Sequence, residues 1–210
     1  SPFYQSENTG LASVRSTFFE STPTGGHPPI LTGWSEFEGL LAKLFQSKAI
    51  TSHKDLWWDV RPSLNYGTLE IRICDMMPTI SENATLVAWI HFLGHCHLLD
   101  PSNSIWPALS EWSYRENKWR ALRFGLDLDF IFDESGNTIP GRQWIENALD
   151  AFESEVSVLG YAARFETLRH KMLAKTPFHR MTEHFGRNPD LSEIVRVNCQ
   201  DFLDDAKAER

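Results

Sequence analysis

The chain has 210 residues, enough to bury a substantial core, and reads most simply as one domain. Its formal net charge of −8, with no run of Lys or Arg, argues against nucleic acid or an anionic membrane as a partner. Three cysteines without metal-motif spacing fit a reduced, cytoplasmic protein, and no segment approaches the roughly 18 continuous apolar residues of a membrane span.

Ser1-Pro2-Phe3 opens without Met, as though cut from inside a larger protein. Residues 1–32 mix Ser, Thr, Gly and Pro with Phe3, Tyr4, Leu11, Phe18 and Phe19, which predicts an ordered loop wrapped on a core. Thr24-Gly25-Gly26-His27-Pro28-Pro29 breaks the chain. Phe37, Leu40, Leu41, Leu44 and Phe45 fall at helical spacing and predict an amphipathic helix over 34–49. Two strands, 57–62 and 68–75, come next as a hairpin around the Pro62–Gly67 link. Thr79 and Glu82 form a capping-box pattern ahead of a long helix to about Leu99, apolar nearly all round and so expected to be buried. Beyond a turn region at 101–107, the pattern predicts a helix over 113–126, a short strand within 126–132 and a turn at 133–137. Helices over 140–158, 160–175 and 191–207 complete the chain, parted by Gly160 and by the Pro177–Pro189 region. A few antiparallel strands followed by a helical half is an α+β pattern.

The hairpin carries the most chemistry. A period of two puts Leu69, Ile71 and Ile73 on one face of the second strand and Glu70, Arg72 and Cys74 on the other. In the first strand, Asp59 and Arg61 share the face opposite Trp58 and Val60. Setting apolar against apolar gathers Asp59, Arg61, Glu70 and Arg72 on one surface. Alternating carboxylate and guanidinium flanked by tryptophan suits metal ions and phosphate. The plain alternative is a cross-strand salt-bridge ladder.

Trp58-Asp59-Val60-Arg61-Pro62, a short loop and then Gly67-Thr68-Leu69-Glu70-Ile71-Arg72-Ile73-Cys74-Asp75 resemble the signature of the type 2 glutamate–cysteine ligase family, the bacterial carboxylate–amine ligases. Ser1-Pro2-Phe3 and the stretch Asn8 to Ser16 look like that family's Ser-Pro-Phe, Thr-Gly and Arg-Ser segment, and Pro23-Thr24-Gly25 with Pro28-Pro29 fit the family's next segment. Asn117 to Leu126 is similar to the helix that begins the family's last third. The resemblance covers most of residues 1–130 in order; from about 140 onward only helical character is shared. It implies an antiparallel sheet of the glutamine synthetase and guanidino kinase type, partial here (residues 1–80), packed with a mostly helical carboxy-terminal half (81–210). It also implies a cytoplasmic homo-oligomer that uses ATP and Mg2+ to join a glutamate side-chain carboxylate to an amine such as cysteine, as in glutathione biosynthesis. The acyl phosphate is the intermediate. Family members are longer, with acidic magnesium ligands and much of the nucleotide pocket on an amino-terminal part, so a carboxy-terminal portion is expected.

By resemblance, Glu70 is the magnesium ligand and Arg72 stabilises the transferring phosphoryl group. Side chains at i and i+2 of a strand stand roughly 6.5–7 Å apart, which lets a metal and an arginine take different oxygens of one phosphate. The planar fork of Arg61 suits phosphate or carboxylate, with a bridge to Glu70 as its alternative. Arg15, by resemblance, binds the amino-acid substrate's carboxylate; otherwise it is a surface arginine. Arg120 and Arg123, three apart on one helix, reach nucleotide phosphate or brace the sheet. Asp59 orients Arg61 or a metal-bound water, or caps a strand end, and Asp75 reads as a turn or cap residue. His91 and His95 have zinc-site spacing, but their apolar neighbours favour core or interface histidines. His170, His179 and His184 read as solvent-facing, and Cys74 as a packing residue. Two other readings stand beside the ligase: a non-catalytic subunit of the same fold that needs a separate amino-terminal part, and a metal-dependent hydrolase built on His91 and His95.

Overall fold

The computed structural model describes residues 1–107 and 109–208. In chain order its elements are β1 (Phe3–Tyr4), β2 (Glu7–Asn8), α1 (Arg15–Glu20), β3 (Gly25–Gly26), α2 (Trp34–Gln46), β4 (Trp57–Trp58), β5 (Val60–Ser63), β6 (Thr68–Ile71), α3 (Ile80–Leu99) and α4 (Glu111–Phe124). They continue with β7 (Asp129–Ile131), β8 (Thr138–Pro140), α5 (Gly141–Ala151), α6 (Glu153–Val158), α7 (Ala162–Thr167), α8 (Pro177–Arg187) and α9 (Leu191–Ala208). This is the mixed helix-and-strand class read from the sequence. The strands pair as two-stranded ladders, β1–β2, β5–β6 and β7–β8 antiparallel and β3–β4 parallel, and no ladder among the described residues is wider. Among the described residues no helix is long and apolar enough to cross a membrane. The chain divides into two compact units, Val14–Asp75 and Ser1–Ser13 with Met76–Arg210.

In the unit Val14–Asp75, the segment expected to be loop contains α1, and the turn after it is built around Gly25. A Cβ on Gly25 would fall 2.0 Å from the Phe19 carbonyl oxygen, so only glycine lets β3 lie beside β4. The apolar stripe of α2 packs Phe37, Leu40, Leu41 and Leu44 on Ile50, Leu56 and Trp58. This helix stops at Gln46, three residues short of expectation, because Lys48 turns left-handed at φ 60°. A single 3-10 turn, His53–Asp55, comes next, with Ser52 and Asp55 capping each other.

The first strand of the hairpin changes partners at Asp59. Trp57 and Trp58 pair in parallel with Gly25 and Gly26, whereas Val60–Ser63 pairs with β6. The Asp59 amide donates to the Gly26 carbonyl at 2.7 Å, and its carbonyl accepts from the Arg72 amide at 2.7 Å. The second strand ends at Ile71 rather than Asp75, since the carbonyls of Arg72, Ile73 and Cys74 take the Arg15 side chain instead of a strand partner. Parity gathers the four charged residues as expected, but the solvated face is the other one. Asp59 and Arg61 are 6% and 8% exposed, whereas Leu69 is 68% exposed. The turn at 52–56 accounts for this, because the carbonyls of Lys54 and Leu56 lie over the charged face and take Arg61.

In the other unit, Thr79 caps α3 by accepting from the Glu82 amide at 3.2 Å. The reciprocal half of the capping box is absent, since Oε1 of the buried Glu82 carboxylate is taken by Arg180 at 2.7 Å. One face of α3, Thr85, Ala88, Phe92 and Cys96, is buried. The opposite face is open, with Val87 65% and Leu98 84% exposed, so α3 is not enclosed as its composition implied. Phe92 and Cys96 sit in the core with Ala148 and Leu149 of α5, Phe165 of α7, and Leu168 and Met172 of the π-helical turn that continues it. The expected 140–158 helix breaks at Phe152 into α5 and α6. Asn117 of α4 donates to the Ile131 carbonyl at 2.9 Å and accepts from its amide at 2.7 Å, fixing α4 on β7. The Pro177–Pro189 region, read as a break, is α8. Thr176 caps it and Pro177 occupies the first turn, where its missing N–H costs nothing.

Candidate functional site

The antiparallel register of β5 and β6 sets Arg61 directly opposite Glu70. Arg61 donates Nε–H to Glu70 Oε2 at 2.9 Å, and Arg72 donates from Nη1 to Oε1 at 2.7 Å. Arg61 also donates from Nη1 to the carbonyls of Lys54 and Leu56 at 2.7 and 2.6 Å, which immobilises it. Burial pushes the Glu70 carboxyl up, but the hydrogen bonds and charges of Arg61 and Arg72 outweigh it and hold the group below its ordinary value. Glu70 binds two guanidinium groups, and Asp59, buried on the same face, adds a second carboxylate. The Arg72 hydrogen bond to Glu70 uses Nη1 alone, out of the five N–H donors that a guanidinium carries.

Both oxygens of Glu70 are engaged by arginine, and among the described residues no cluster of three His, Cys, Asp or Glu side chains could hold a metal ion. Arg15 lies in the same unit, with Nη2 donating to the Arg72 carbonyl at 2.9 Å, Nη1 to those of Ile73 and Cys74 at 3.4 Å, and Asp75 at 3.7 Å. Arg120 and Arg123 belong to the other unit. Arg120 braces β7, pairing with Glu116 at 2.8 Å and donating to the Asp129 carbonyl at 2.7 Å. Arg123 has no ion-pair partner among the described residues; its guanidinium carbon lies 5.5 Å from the Phe124 ring centre.

The histidines separate into individual contacts. His91, exposed rather than in the core, pairs with the Tyr161 hydroxyl at 2.9 Å, and the half-buried His95 pairs with Glu155 at 2.8 Å. His170 is exposed beside Glu166, as expected. His179 is not solvent-facing: it bridges Asp127 at 2.8 Å and Thr176 at 2.7 Å, and His184 is also half-buried. Burial, reinforced by the Asp75 charge, pushes the Cys74 thiol up, which suits packing rather than nucleophilic attack. Two contacts went unread in the sequence: the Asn117 amide on the Ile131 backbone, and the Ser52–Asp55 cap at the turn whose carbonyls take Arg61. Only the last had a signal, the Ser-x-x-Asp spacing.

These ion pairs set an acid limit. A carboxyl whose folded pKa is depressed stabilises the fold above its unfolded pKa, and that contribution disappears as pH falls through the folded value. Glu70 titrates below its ordinary value of 4.5, and Asp127, raised by burial but lowered further by Arg142 and His179, below 3.8. The melting temperature should thus fall progressively from about pH 4.5 downward, and less steeply in Glu70→Gln. Equal slopes for both proteins, followed by circular dichroism, would contradict this role of Glu70.

The family model for glutamate–cysteine ligase family 2 matches residues 1–187. The chain belongs to that family. A protein of Bdellovibrio bacteriovorus named "Putative glutamate--cysteine ligase 2" is 39% identical over 206 residues, 98% of this chain and 54% of that protein. A protein of the same name from Thermobifida fusca is 34% identical over 210 residues, 99% of this chain and 52% of its own length. The chain spans about half the length of these ligase-family relatives.

Proposed function

We propose that this chain is the part of an ATP-dependent carboxylate–amine ligase that presents the arginines of β5 and β6 to the transferring phosphoryl group. The observation that supports it is the Arg61–Glu70–Arg72 cluster, which lies within the stretch matched to a ligase family and engages Arg72 through Nη1 alone. In this reading the γ-carboxylate of glutamate attacks the γ-phosphorus of ATP, ADP departs, and γ-glutamyl phosphate forms. The amine nitrogen then attacks the acyl carbon, inorganic phosphate leaves, and the nitrogen gives up a proton to yield a γ-glutamyl amide. Cysteine is the amine that the relatives' names point to.

Phosphoryl transfer asks little covalent work of the protein and much placed positive charge. Arg72 supplies that charge, and Glu70 holds its fork and that of Arg61 on one carboxylate. Magnesium accompanies ATP in this reading, with Glu70 the single carboxylate that the cluster offers it. A cytoplasmic homo-oligomer remains part of the proposal. The complete protein should release ADP from ATP in the presence of glutamate, faster still when the amine is added, and mass spectrometry should detect the γ-glutamyl amide. ADP release indifferent to glutamate would overturn the reading.

A further inference from the structure

Arg72 stands just past the last paired residue of β6, where a long side chain with one carboxylate partner would ordinarily sweep a wide arc. Its guanidinium carbon lies 5.6 Å from the Trp57 ring centre. Trp57 stacks on Phe19 of α1 at 5.2 Å and 28° between planes. Phe19 in turn carries the guanidinium of Arg15 at 5.0 Å from its ring centre. Arg15 closes the circuit, because its Nη2 donates to the backbone carbonyl of Arg72 itself at 2.9 Å. One end of the stack thus holds the Arg72 side chain and the other holds its backbone, all within the unit Val14–Asp75.

Core packing does not explain Trp57. Its neighbour Trp58 is 5% exposed and fills the core, whereas Trp57 is 46% exposed. The cleft bounded by Arg15, Phe19, Trp57, Asp59 and Arg72 measures about 10 Å³, the room of one water, so no substrate fits inside the stack. Flat guanidinium on flat indole is a geometry that arginine holds and lysine does not.

We propose that the stack Arg15–Phe19–Trp57–Arg72 positions the Arg72 fork for phosphoryl transfer, which makes Trp57 and Phe19 positioning residues of the ligase. The inference rests on the ligase reading above and gives Arg15 a supporting task in it. In the complete protein, Trp57→Leu should lower kcat about tenfold while the KM values for ATP and glutamate stay within about twofold, and Trp57→Phe should restore kcat to within about threefold. In an Arg72→Lys background, Trp57→Leu should change kcat less than about twofold, because the ring has lost the partner through which it acts. A tenfold loss in both backgrounds, or no loss in either, overturns the proposal. The ligase reading fails differently, by Arg72→Lys alone leaving activity unchanged. A measurement free of activity completes the test. The Arg72 Nε–H proton should resonate upfield under the ring current of Trp57 and move downfield in Trp57→Leu; a resonance that does not move also overturns it.

Discussion

On the proposed mechanism, replacing Arg72 by alanine in the complete protein should lower kcat for ADP formation by about two to three orders of magnitude, the loss typical when one fixed donor to developing charge is removed. The effect falls on kcat because the transferring phosphoryl group concentrates charge on its outer oxygens only as bonds break, so the interaction strengthens in the transition state. Glu70→Ala should produce a comparable loss by another route. Without the carboxylate, the 2.9 and 2.7 Å bonds to Arg61 and Arg72 vanish and both guanidinium groups lose the partner that orients them. Steady-state ADP release with glutamate and an amine reads both variants. Activity within a few-fold of the parent for either would remove it from the site.

Phe92→Ala should destabilise the helical unit by about 3–5 kcal/mol, the cost of a large cavity where surrounding helices relax only in part. Phe92 has no exposed surface and meets Trp89 at 5.6 Å, Phe165 at 5.2 Å and Phe152 at 6.5 Å between ring centres. Contacts within α3, to α7 and to the junction between α5 and α6 are therefore lost at once. The matched control is Leu98→Ala on the same helix, where the side chain is 84% exposed and the change should stay within about 0.5 kcal/mol. Urea unfolding distinguishes them; similar midpoints for the two variants would contradict the placement of the core.

What the sequence made legible was local. Parity alone placed Arg61, Glu70 and Arg72 on one face, and the Thr79 cap and the apolar stripe of α2 came from spacing. What it hid depends on groups distant in the chain or on backbone carbonyls, which carry no sequence signal. The charged hairpin face turns inward because Lys54 and Leu56 present carbonyls to Arg61. Asp127 and His179 meet across 52 positions, so nothing local distinguished His179 from the exposed His170. A helix as apolar as α3 shows no preferred side, and its open face emerged only from which neighbours it packs on. The two prolines around α8 read as breakers, although the first is compatible with a helix start.

Transfer of an oxygen atom tests the ligase chemistry most directly. Glutamate labelled with 18O in its γ-carboxylate, incubated with ATP, the amine and the complete protein, should pass one labelled oxygen to the inorganic phosphate released, because the carboxylate oxygen that attacks phosphorus leaves with it. Unlabelled phosphate, formed at the same rate as ADP, would show that water and not the carboxylate attacks, and would contradict the assignment of Arg72 to an acyl-phosphate-forming step.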